Sequence, residues 1–127
     1  MAEFGRVETV TLKAAADLSG KQYHAVRMSA ANACNQASLS TDSAIVGVLQ
    51  NKPQSTEAAT VGYMGISKIT VGGVVTAGDV LTSNSSGRAA TVASGQIAIG
   101  RALETSTQNG DVITAILQSP VRWAGAP

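Results

Sequence analysis

Residues Ile69–Arg88 read ITVGGVVTAGDVLTSNSSGR, and this stretch decides the fold class. Val71, Val74, Val75, Val80 and Leu81 are apolar β-formers. Gly72-Gly73, Ala77-Gly78-Asp79 and Ser83-Asn84-Ser85-Ser86-Gly87 are turn signals set between and after them. Glycine and β-branched residues disfavour helix along the whole stretch. Gly78 can take positive φ, so Gly78-Asp79 suits a turn that delivers Val80-Leu81 into a core. The stretch predicts a compact β-corner. It is structural rather than chemical, because its polar groups form no catalytic arrangement.

Working outward, the corner has an echo upstream. Ala15-Ala16-Asp17-Leu18-Ser19-Gly20 resembles Ala77-Gly78-Asp79-Val80-Leu81, each Asp opening a short apolar step. Ile45-Val46-Gly47-Val48-Leu49, a polar loop and Ala59-Thr60-Val61 are matched by Ile97–Leu103, a polar loop and Asp111-Val112-Ile113-Thr114. Two readings stand: a degenerate duplication of one β-module, the first copy lengthened around Ala30–Asp42, or chance likeness among Val/Gly/Ala-rich strands. Two copies are too few for a solenoid and suit one small domain with pseudo-symmetric halves. The chain then divides into an extended N-terminal arm or first strand (1–13), a β-rich domain of two pseudo-repeated halves (14–120) and a C-terminal tail (121–127).

Along the domain, Gln22–Met28, Ala44–Leu49, Ala59–Ile69, Arg88–Val92, Gln96–Leu103 and Asp111–Leu117 read as strands, with Ala59–Ile69 one strand or a pair, bent at Gly62 and Gly65. Ala30–Ser43 is small and polar, either a loop with one weak strand or a short helix. Asn109-Gly110 signals a hairpin, and Pro120 is expected to end the last strand. The fold class expected is all-β, a small barrel or sandwich.

Composition narrows function. The 127 residues fit one domain, and nine basic against eight acidic residues leave a net charge of +1. The charges are scattered, with no Lys/Arg cluster interleaved with aromatics, so no nucleic-acid partner is expected. No apolar run approaches a membrane span and MAEFGRVE lacks a signal-peptide core; a soluble, cytoplasmically made protein without a membrane partner is expected. The aromatics are Phe4, Tyr23, Tyr63 and Trp123, so the core must be built from Val, Ile, Leu and Ala. A core so thin suggests stability shared with neighbouring subunits.

Chemistry-bearing arrangements are missing. There is no GxSxG elbow, HExxH, P-loop or GxGxxG before a helix, and carboxylates are isolated. His24 and Cys34 are each the sole residue of their type, and both read as structural. No enzyme, cofactor or metal is expected. The arm is the more informative end. Glu3, Arg6, Glu8 and Lys13 put charges on a partly alternating segment. Such a segment can add to a neighbouring sheet by its backbone, or simply be the first strand of its own sheet. As an arm, Glu3, Phe4, Arg6, Val7, Glu8 and Thr9 would contact the partner. Trp123, in a Gly/Pro-rich tail, either packs back on the domain or touches another subunit.

VGGVVTAGDVLTSNSSG looks like the β-corner of lipoyl and biotinyl carrier domains, but no lysine follows Leu81 for modification. A broader likeness runs in order through AEFGRVETVTLKAAADLSGKQYHAVRMS, IVGVLQNKP, AATVGYMGISKITVGGVVTAGDVLTSNSSGRAATVASG and IGRALE. Together these phrases resemble the DUF2190 phage proteins, described as capsid cement or head decoration proteins. The resemblance implies a small domain of the β-clip or β-tulip kind and a place on the outer surface of the virion. It also implies the major capsid protein as partner, and self-association as a homotrimer at three-fold or quasi-three-fold positions. The Cys34 segment and the Trp123 tail match no role in that family. From the residues alone, a β-domain binding a small ligand or carbohydrate, such as a host-surface adhesin, remains the alternative.

Overall fold

Strands too short and too glycine-punctuated for helix assemble here into one continuous sheet. The computed structural model describes residues 6–124, which form nine strands and, among the described residues, no helix. They are β1 (Val7–Ala14), β2 (Ala25–Ala30), β3 (Ala33–Gln36), β4 (Ile45–Leu49), β5 (Ala58–Thr70), β6 (Val80–Ser83), β7 (Ala89–Thr91), β8 (Ile97–Ala102) and β9 (Val112–Arg122). The fold is all-β, a small closed barrel with additional strands.

Sheet order is β1-β3-β2-β4-β5-β9-β8-β6-β7, and β1 also pairs β5. That extra pairing closes β1-β3-β2-β4-β5 on itself. Within this ring only β1–β3 is parallel, through Lys13–Ala33 and Ala14–Cys34; the other ladders are antiparallel. The remaining strands continue from β5 as β5-β9-β8-β6-β7, again antiparallel, and a parallel bridge from Val71 to Ala89 brings the two ends together. The two sets share one pairing pattern. Reading β1, β3, β2, β4, β5 as β5, β7, β6, β8, β9 reproduces every neighbour and every strand direction.

Gly47 in β4 and Gly100 in β8 hold corresponding places in the two sets. Each lies where a Cβ would strike the backbone of the next strand, at Gly62 and Ile116 respectively. Close strand approach therefore requires glycine at both.

Two apolar clusters hold the sheet. Leu12, Ala14, Leu18, Val26, Cys34, Leu49, Ala59 and Val61 fill the first ring. Ile69, Val71, Val75, Leu81, Ile97, Ile99, Ile113 and Leu117 form the larger cluster, to which Ala25, Ile45 and Val48 of the first ring contribute. Each fully buried Val, Leu or Ile is worth about 1.5–3 kcal/mol, so many such residues replace the missing aromatics. Burial raises the Cys34 thiol above its usual range, and the residue is fully enclosed. Native protein is therefore expected to resist iodoacetamide at pH 8 and to alkylate only when unfolded, read by intact mass. Labelling within minutes under native conditions would show that the ring opens.

Several sequence expectations needed adjusting. The strand expected from Gln22 starts at Ala25, because Tyr23 takes a φ of 67° and turns the chain before pairing begins. Ala30–Ser43 does contain a strand, β3, short because it has room for only four residues between its turns. β9 runs through Pro120 rather than stopping there. Leu117 pairs Gly100 and Val121 pairs Ala98, so Gln118-Ser119-Pro120 bulge opposite Ile99 and the proline needs no ladder hydrogen bond. Asn109-Gly110 sits in the long β8–β9 connection rather than a two-residue hairpin; the Gly110 N–H donates to the Val71 carbonyl at 2.8 Å. In the corner itself Gly78 does take positive φ, 98°, and Leu81 is fully buried.

Candidate interaction surface

β1 has two edges, and they are treated differently. One edge is laddered to β5 from Val7–Gly65 to Lys13–Ala58. On the other, β3 covers only Lys13 and Ala14. Among the described residues, no strand pairs Val7–Leu12 on that second edge. Backbone alternation tells which groups face it. The Ala14 N–H donates to Glu57 on the β5 side (2.9 Å), and the Lys13 N–H to Asn32 on the β3 side (2.8 Å). Two residues back from Lys13, the Thr11 N–H and C=O point to the uncovered edge.

Arg6 is exposed, and its carbonyl accepts the Ile66 N–H at 3.0 Å, which carries the β1–β5 pairing one residue past Val7. Val7 is half-buried against the larger apolar cluster, while Glu8 and Thr9 are exposed opposite Met64 and Gly62. The register slips between Glu8 and Thr9, leaving Tyr63 as the extra residue on β5. Glu3 and Phe4 lie outside the described residues. Arg6, Val7, Glu8 and Thr9 thus lie together along one strand and its approach.

Val10 of β1 is 38% exposed, and across the covered ladder on β5 Tyr63 is 36% and Met64 48% exposed. Sequence reasoning did not bring Tyr63 and Met64 beside β1. The available signal was their position between Gly62 and Gly65, glycines that mark a bulge and a bend. Charge is mixed, with exposed Arg6 just before the strand and exposed Glu8 and Lys13 on it.

Trp123 is elsewhere and half-buried. Its N–H donates to the Gln96 carbonyl and its carbonyl accepts the Gly95 N–H, both at 2.7 Å, so its backbone is tied to the β7–β8 turn. Arg27 and Asp42 form an ion pair beside β2. Burial pushes the Asp42 carboxyl up, but the Ala44 N–H and Arg27 outweigh it and hold it below the usual range. Among the described residues no group of three or more His, Cys, Asp or Glu is placed to hold a metal ion. The surface offers backbone hydrogen bonds, a few apolar side chains and alternating charge, which suits docking of an extended segment.

A family model described as phage cement protein matches residues 3–117. No curated protein matches the sequence. Among solved structures, the N base of the head fiber gp8.5 of bacteriophage phi29 is similar in fold. The identity is 15%, the match covers 91% of this chain and 98% of that one, and the TM-score is 0.65.

Proposed function

The chain belongs to the phage cement protein family, and from that premise we propose that it binds the outside of a phage head and cements adjacent major capsid protein subunits. It is a phage structural protein associated with the capsid. The observation that supports the cementing role is the uncovered edge of β1, a row of backbone donors and acceptors on a strand that also carries the exposed Val10. In this reading Glu3, Phe4, Arg6, Val7, Glu8 and Thr9 line the contact, and an extended capsid segment adds to β1 as a strand. Affinity comes from main-chain hydrogen bonds, and Arg6, Glu8 and Lys13 fix register. Because few charges take part, attachment should weaken only modestly in salt.

The protein acts as a homotrimer at three-fold or quasi-three-fold positions, with Trp123 as a subunit contact, and it works by multiplying modest interfaces over the lattice rather than by chemistry. The test uses purified heads stripped of this protein. Added chain should co-sediment with heads to saturation, and crosslinking through lysines should join Lys13 to the major capsid protein and yield trimers. Failure to bind heads, or crosslinks that stop at dimers, would overturn the corresponding part of the proposal.

A further inference from the structure

His24, the chain's sole histidine, lies where the two sets of strands meet. It is only 6% exposed. Its backbone ties the turn before β2 to β4: the His24 N–H donates to Lys21 at 3.0 Å and its carbonyl accepts the Leu49 N–H at 2.9 Å. The residues either side reach the second set. The Tyr23 carbonyl accepts the Thr70 N–H at 2.9 Å, and the Ala25 N–H donates to Gly87, in the β6–β7 turn, at 2.7 Å.

The ring completes this junction. Nδ1 is 3.2 Å from the Gln22 carbonyl, so it carries the proton as donor. Nε2 is then the bare nitrogen, and it accepts the Arg88 Nε–H at 3.5 Å. Arg88 is held in place from behind, its guanidinium donating to Asn109 Oδ1 at 2.6 Å and its backbone N–H to Asn84 Oδ1 at 3.0 Å. From the turn before β2 the charged neighbour is Lys21; from the β6–β7 turn it is Arg88; the end of β4 presents the neutral Leu49 and Gln50. Among the described residues, the charges acting on His24 are Lys21 and Arg88, both positive.

We infer that His24 is a proton-operated latch: its neutral ring holds the β6–β7 turn, through Arg88, against the first ring of strands, and its protonation releases that turn. A second proton on Nε2 removes the acceptor that Arg88 uses and sets an imidazolium against a guanidinium in a nearly closed site. The inference is independent of the cementing role.

Burial first, and then Lys21 and Arg88, hold the His24 imidazole below its ordinary value, against the pull of the Gln22 carbonyl. The sign follows from linkage. Below about pH 6.5 the unfolded chain takes up a proton that the folded chain refuses. The latch's contribution is thus complete above that pH and is lost as pH falls toward the depressed folded value.

A single histidine makes the test direct. Its ring carbons in the full-length protein should titrate by NMR with a midpoint below 6.5, and the Gly87, Arg88 and Thr70 amides should shift with the same midpoint. In Arg88→Gln the midpoint should rise toward the ordinary value, and His24→Gln should abolish the coupled amide shifts while leaving the protein folded at pH 7.5. An ordinary midpoint in the wild type, a midpoint unmoved by Arg88→Gln, or amides of the β6–β7 turn that ignore it would each overturn the latch. If His24→Gln fails to fold, the wild-type and Arg88→Gln titrations alone decide.

Discussion

Replacing Gly65 by alanine should cost roughly 2–5 kcal/mol of stability, from backbone strain and a steric clash acting together. Gly65 has a φ of 108°, a conformation L side chains rarely adopt, and it sits where β5 exchanges β1 for β9 as partner. A Cβ there would also meet the carbonyl of Arg6, whose oxygen already accepts the Ile66 N–H. The clash is with backbone, so no side-chain rotation relieves it. Against a total of about 5–15 kcal/mol for a typical domain, such a loss is large. Urea unfolding should show a much lower midpoint for Gly65→Ala. Gly73→Ala, where φ is unexceptional and nothing lies within 4 Å, should stay near wild type. Equal midpoints for the two variants would contradict the role given to Gly65.

Proline at position 11 should weaken attachment to heads by about 5- to 150-fold while leaving the domain folded. The Thr11 N–H faces the uncovered edge of β1, so its removal breaks no bond to β5. A docked strand would lose one hydrogen bond and keep an unsatisfied acceptor, a penalty of about 1–3 kcal/mol, which is the stated range in affinity. Thr11→Lys is a milder companion, since lysine on an edge discourages strand addition without constraining φ. Co-sedimentation with heads measures both. If folded Thr11→Pro and Thr11→Lys both bind as tightly as wild type, the edge of β1 is not the docking site.

Much of this architecture was legible because strand and turn chemistry are local. The corner at 69–88 announced itself through Val-Gly alternation, and β6 and its turns lie within it. Ile45–Leu49 is β4 and Ile97–Leu103 contains β8, strands with corresponding neighbours in the two sets. What stayed hidden was non-local. Nothing in LKAA or ACNQ says that Lys13-Ala14 will lie parallel to Ala33-Cys34 and close a ring. Tyr23 looked like a strand residue because aromatic and β-branched residues usually are, yet its φ is set by the two strand sets it joins. Pro120 looked like a stop, and a bulge absorbed it.

The candidate surface was half legible for the same reason. Arg6, Val7, Glu8 and Thr9 could be picked from charge and alternation, but which edge of their strand is covered depends on β3 and β5. Tyr63 and Met64 come to lie beside Glu8 and Thr9 from far along the chain, through a register shift that single-sequence reading does not reveal.

β5 gives the molecule a mechanical property that neither set of strands would have alone. One length of backbone, Ala58–Thr70, is the last stave of the first ring and the first stave of the second. A pull entering through β1 is passed to β5 sideways, along the length of their ladder, and leaves through β9 in the same fashion. In that geometry the cross-strand hydrogen bonds are sheared together instead of being unzipped one after another. Among the described residues the path from β1 through β5 to β9 is continuous strand pairing. A domain wired this way would yield as a unit or hold as a unit.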